Sequence, residues 1–216
     1  MKQWLLAGAM LAALAQSPAY ADDVESLHIL NLNFEWRRGL TLQMHTRLRT
    51  FENIGAYNQF RGGPVLLWQA NPRLLVITGY YFTNQNRRVV HTNYDIHRAF
   101  GGLQYRVLRG ETWSVDARGA LESFHSDQFQ DYRRWRTRTL LTKKLRLGEP
   151  YASGEALHER GVWYGRYTAG VLWKVNARLK IGTGYEFRQA MTGPPSHVVA
   201  TLFEWQARRA RTPHEN

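Results

Sequence analysis

The sequence predicts an all-β fold: an antiparallel transmembrane β-barrel of ten to twelve strands, with twelve favoured. Three observations predict it. Polarity alternates at period two from Asp22 almost to the C-terminus, with no helical period. The alternating runs reach about ten residues or more, long against the five or six usual in soluble sheets and close to a tilted membrane strand. Trp113, Trp135, Trp163, Trp173 and Trp205 fall toward run ends, where an aromatic girdle would stand.

Composition narrows the class. The 216 residues carry a formal charge of +12 and no Cys, so neither disulfides nor thiolate metal sites are available. Mean hydropathy is −0.49, and the single apolar run, Leu5–Leu14, is too short to span a bilayer comfortably. Lys2 before that run and Ala19-Tyr20-Ala21 after it read as a cleavable signal peptide over 1–21. The barrel would then occupy 22–207, followed by a polar tail over 208–216. The expected location is the cell outer membrane.

Taken in order, Leu27–Trp36 puts Leu30, Leu32, Phe34 and Trp36 on one face against Asn31, Asn33 and Glu35. Leu40–Thr50 alternates after a turn at Arg37-Arg38-Gly39. Ile54–Ala70 is broken by Gly62-Gly63-Pro64; eleven runs alternate in all, and because such barrels have an even number of strands, treating Ile54–Arg61 as a separate short strand gives the count of twelve. Leaving Leu27–Trp36 out of the barrel gives ten. Leu74–Thr83 is apolar and aromatic on both faces. His97–Val107 and Trp113–Phe124 alternate, and 124–131 reads as a loop. Tyr132–Lys144, Tyr151–Glu159, Trp163–Val175, Ala177–Gln189 and Val198–Gln206 complete the set. From the middle onward, short connections (108–111, 148–150, 175–176) alternate with long ones (84–94, 124–131, 190–196), as in outer-membrane barrels.

Tyr132–Lys144 shows the two faces best. Arg134, Arg136, Arg138, Thr142, Lys144 and Arg146 share one face; Trp135, Thr137, Thr139, Leu141, Leu145 and Leu147 share the other. In a barrel these faces become lumen and lipid. Candidate anion contacts in the lumen are Arg98, Arg106, Arg118, Arg134, Arg136, Arg138, Arg166 and Arg188. Arg47, Arg49, Lys174, Arg178 and Lys180 share the cationic faces. Arg presents a planar fork suited to carboxylates and sulfates, and rings of such cations favour anions in pores. Candidate lumen carboxylates are Asp116, Glu122, Glu155 and Glu186, with Glu159. Cross-strand pairing of Glu122 with Arg134 and Arg136, with Arg118 beside Glu122 on its own strand, would brace the barrel, and the cation surplus is left for solvent or an anionic solute.

Asp95-Ile96-His97-Arg98, Arg118-x-x-x-Glu122 and Arg134-x-Arg136-x-Arg138 together resemble a family of bacterial outer-membrane barrels catalogued as a domain of unknown function. Asp95 stands where that pattern has Glu. The resemblance implies a Gram-negative outer-membrane barrel and no activity. The Arg tracks alone are similar to those of oligogalacturonate-specific porins.

The expected function is a small porin-like channel or structural barrel passing or binding anionic solutes, with outer-membrane lipid and lipopolysaccharide as surroundings. Two alternatives stay open. One is an outer-membrane enzyme acting on lipid or lipopolysaccharide, for which Ser123, His125 and Asp127 are the only suggestive group; a Ser–His pair at this spacing is common by chance, and an enzyme is not expected. The other is a soluble periplasmic β-barrel. The His residues show no metal-ligand spacing, and no cofactor is implied. A basic, aromatic-rich chain suits nucleic acid, but an export signal argues against that partner.

Overall fold

The structure is a computed structural model that describes residues 24–51, 55–86, 92–189 and 195–207. Eleven strands form one closed barrel: β1 (Val24–Arg37), β2 (Leu40–Phe51), β3 (Ala56–Gln69), β4 (Leu74–Asn86), β5 (Asn93–Arg109), β6 (Trp113–Ser126), β7 (Phe129–Lys143), β8 (Glu149–Glu159), β9 (Val162–Lys174), β10 (Leu179–Arg188) and β11 (Ser196–Gln206). No helix occurs among the described residues. The signal-peptide and tail segments lie outside them.

Sequential neighbours pair antiparallel, and the barrel closes by pairing β1 with β11 in parallel. The parallel closure follows from the count. In an up-and-down order, the first and eleventh strands run the same way. The expected count of twelve is therefore corrected to eleven, and the all-antiparallel closure with it.

The error lay at Gly62-Gly63-Pro64, which does not turn the chain. β3 runs straight through it and keeps register with β2 on both sides. Pro64 lacks an N–H to give, and the β3–β4 register passes from Gly62↔Phe82 to Val65↔Gly79. A Cβ on Gly63 would lie 2.1 Å from the Tyr80 carbonyl oxygen. The glycine is there for close approach of two backbones.

The strand ends around 37–40, 69–74, 109–113, 143–149 and 174–179 gather at one rim, and the ends at 51 and 56, 86 and 93, 126 and 129, 159 and 162, and 188 and 196 at the other. The long loop expected over 124–131 shrinks to 127–128, because β6 runs on to Ser126 and β7 begins at Phe129. The expected loops at 84–94 and 190–196 lie partly outside the described residues. At 160–161, Arg160 (φ 51°) and Gly161 (φ 81°) both adopt the left-handed region, the geometry that matches the twist of a two-residue hairpin.

Alternation sorts side chains to two faces. Exposed apolar and aromatic residues on the outer face include Leu30, Phe34, Leu48, Phe60, Tyr80, Leu103, Trp135, Leu141, Tyr167, Val199 and Phe203. Trp36, Trp68, Trp113, Trp173 and Trp205 also point outward, each within one residue of a strand end at the short-turn rim. His97, His125, His158 and His197 point outward near the opposite rim, with Trp163.

Inside, Val65, Ile77, Tyr81 and Phe100 pack together with Leu67 and Leu75 on the β3–β5 wall. Leu27, Val198 and Ala200 form a second cluster with Ile29, beside the β1–β11 pairing. The rest of the inner wall is charged. Leu157, Glu122 and Arg98 are all nearly inaccessible, so side chains fill the middle of the barrel. Eight-stranded barrels fill in this way, and those of 16 to 18 strands leave a channel.

Candidate functional site: the charged interior

The inner wall from β5 to β10 carries a continuous chain of opposite charges. Arg98 lies 3.6 Å from Glu122. Glu122 takes Arg134 at 2.5 Å and Arg136 at 3.5 Å. Arg136 also reaches Glu155 at 2.5 Å, and Glu155 meets Arg166 at 3.1 Å. Arg166 lies 3.7 Å from Glu186, which in turn pairs with Arg188. Arg134 adds a branch to Glu159 at 3.3 Å, where the Tyr164 hydroxyl donates to the same carboxylate at 3.0 Å.

Register explains why these residues meet. Glu122 faces Arg134 across β6–β7, and Glu155 faces Arg138 across β7–β8 and Arg166 across β8–β9. Glu122 and Glu155 therefore each sit between basic residues on both neighbouring strands, diagonal pairs included. The charge is largely buried, and burial demands such partners. Aromatic rings complete the packing. The Arg98 guanidinium lies 4.6 Å from the Tyr81 ring, and that of Arg134 4.6 Å from the Phe124 ring. Phe124 itself stacks on Tyr132.

Separate pairs stand away from this chain. Arg106 meets Asp116 at 3.0 Å, with the Arg side chain 37% exposed. Lys180 meets Glu149 at 3.3 Å, and Arg49 pairs with Glu25.

The structure thus brings together Arg98, Arg134, Arg136, Arg166, Arg188, Glu122, Glu155 and Glu186, and puts Arg106 with Asp116. It leaves Arg118 and Arg138 out of every ion pair within 4.0 Å among the described residues. Glu122 braces Arg134 and Arg136, whereas Arg118 stands opposite Arg138. Lys144 and Arg146 are not on the inner face; β7 ends at Lys143 and both are exposed in the turn that follows. Arg178 likewise belongs to a turn.

Sequence reasoning missed Arg61, Glu25, Tyr81 and Tyr164. Gln59, Arg61, Gly63 and Val65 do alternate with outward Phe60, and that period was hidden by reading the glycines as a break. Glu25 was missed because β1 begins three residues before Leu27.

On the outer face, the His125 Nδ1 lies 2.7 Å from Asp131, not paired with Asp127. Ser123 shares that face and stands opposite Arg133, with no hydrogen bond joining Ser123 to His125.

No family model, curated protein or solved structure matches this chain.

Proposed function

We propose that the protein is an outer-membrane β-barrel whose filled, arginine-rich interior holds small anionic solutes. The outer face carries the membrane part of this reading. Trp163 and Trp173 lie near opposite ends of β9. Their separation of about ten residues is about 33 Å along the strand at ~3.3 Å per residue. At a tilt of about 40° this becomes roughly 25 Å of height, the height of an outer-membrane apolar band. Indole at one rim suits a membrane interface, and the rim with uniformly short connections would be the periplasmic one.

The interior supports the anion part. Basic side chains exceed carboxylates, and Arg47, Arg61, Arg118 and Arg138 have no carboxylate within 4.0 Å among the described residues. The continuous ion-pair chain across β5 to β10 argues against a wide diffusion pore.

Fractionation and conductance test the two parts separately. The folded protein should need detergent to leave the membrane and should migrate differently on a gel before and after heating. In planar bilayers it should give a small conductance that prefers anions, lowered by Arg136→Glu with Arg138→Glu. Release without detergent would sink the membrane part, and a large unselective conductance the filled-barrel part.

The His125–Asp131 contact favours one second reading, a lipid hydrolase on the outer face. Asp131 orients the imidazole, leaving Nε2 to serve Ser123 as general base, with Arg133 beside it to meet an oxyanion. Ester hydrolysis abolished by Ser123→Ala would establish that reading; no hydrolysis by the folded wild-type protein would remove it.

A further inference from the structure

Two pairs of arginines stand directly opposite each other across neighbouring strands on the inner face. Arg118 on β6 faces Arg138 on β7, and Arg47 on β2 faces Arg61 on β3. Like charges in this position repel and destabilise a sheet. The fold contains its own remedy elsewhere. Arg166 faces Arg188 across β9–β10, and there Glu186 meets both cations while Glu155 takes Arg166 from the other side. Lys174 faces Lys180, and Glu149 takes Lys180. The first two pairs have no such carboxylate.

Their surroundings add polar groups without adding negative charge within pairing distance. Gln104 on β5 stands opposite Arg118. Glu155 stands opposite Arg138, but its carboxylate is held by Arg136 and Arg166. The Arg61 Nε donates to Thr83 at 3.1 Å. The buried Nε atoms of Arg47 and Arg118 donate to nothing among the described residues. The pairs also lie toward different ends. Arg118 is four residues from Glu122 toward the tryptophan rim, and Arg47 is four residues from the other end of β2.

We infer that each arginine pair is a binding site for a small oxyanion, the class that includes sulfate, phosphate and carboxylate. Two guanidinium forks converging on one ligand supply parallel N–H donors that match its oxygens. A halide offers no such set of oxygens and binds more weakly. The ligand takes the place that Glu186 fills between Arg166 and Arg188. This deepens the anion reading of the interior. It does not depend on the membrane reading, because it is tested on the folded barrel in detergent.

The experiment is urea unfolding in non-ionic detergent, with sodium sulfate or sodium chloride at matched ionic strength. Sulfate at about 100 times its Kd should lower the unfolding constant of the wild type by about 100-fold per occupied site. Chloride should do much less. Arg118→Gln with Arg138→Gln should lose one part of the sulfate effect, and Arg47→Gln with Arg61→Gln the other. The fourfold variant shows what sulfate does by exclusion from the surface alone. Without sulfate, each double variant should be at least as stable as the wild type, because a repulsion is gone; this also shows that it folds. Arg138→Lys, which keeps the charge and loses the fork, should weaken the sulfate response about tenfold. Arg146→Gln, in the exposed turn after β7, should change nothing. Equal effects of sulfate and chloride would overturn the inference, as would a full sulfate response in the fourfold variant. Loss of stability in the double variants without sulfate would also count against it.

Discussion

Glu122 on β6 stands opposite Arg134 on β7, with their charged groups 2.5 Å apart, and the same carboxylate lies within 3.6 Å of Arg98 and 3.5 Å of Arg136. One buried anion thus answers three cations from two strands. Glu122→Gln keeps the shape and removes that charge. Breaking a buried pair leaves the remaining charge uncompensated, so the variant should lose about 3–5 kcal/mol of stability. Asp116→Asn serves as comparison. Among the described residues it pairs only with Arg106, whose side chain is 37% exposed and can turn to water although Asp116 itself is buried, so it should cost clearly less than Glu122→Gln. Equal losses in urea unfolding would refute the hub role of Glu122.

Gly79 and Gly101 separate the two faces in a second way. A Cβ on Gly79 would lie 2.7 Å from the Phe100 ring and 2.8 Å from the Pro64 carbonyl oxygen. Phe100 stacks on Tyr81 at 4.9 Å, and that stack belongs to the β3–β5 interior cluster. Gly79→Ala should therefore cost about 1–3 kcal/mol through overpacking and change the near-ultraviolet circular dichroism. Gly101 points outward, and a Cβ there meets nothing within 4 Å. Gly101→Ala should stay within about 0.5 kcal/mol of the wild type.

The turn at 160–161 rests on two left-handed residues. Arg160 tolerates this conformation while its guanidinium lies 4.4 Å from the Tyr132 ring. Gly161 has open space around its Cβ position, so substitution there is limited by backbone strain alone. Gly161→Ala should cost about 1–2 kcal/mol. No change in unfolding midpoint would show that the β8–β9 hairpin adopts another turn.

Much of the fold was legible because a barrel is written in period two, and Tyr132–Lys144 displays both faces in one run. Eleven alternating runs were legible and match the eleven strands; twelve was favoured only because such barrels have an even number of strands, and Gly62-Gly63-Pro64, with the composition of a turn and the conformation of a strand, offered the place to divide one. Only the neighbouring backbone, pressed against Gly63, tells them apart. The charged interior was readable as a set of inward residues. Which of them pair depends on register, and a two-residue slip along β7 would change every partner. Arg118 shows the limit: it lies four residues from Glu122 on the same strand, yet register sets it opposite Arg138.

The five tryptophans at the short-turn rim provide a test of depth. In a variant carrying Trp135→Phe and Trp163→Phe, the remaining described indoles share one level. A lipid brominated close to its headgroup should quench their fluorescence more strongly than one brominated at the chain end. The reverse order would place the rim away from the interface.

The parallel pairing of β1 with β11 has a kinetic consequence. Every other neighbour in the barrel is reached through a hairpin connection, whereas His28 meets Thr201 at 2.8 Å across 173 positions of chain. Loop closure grows costlier with length, and long-range strand pairing is slow. All ten hairpins can be complete while the sheet still gapes, with the edges of two strands unsatisfied. The last step is then the meeting of two distant edges, and the time for which they lie open sets how long the chain is exposed to pairing with a neighbour instead of with itself.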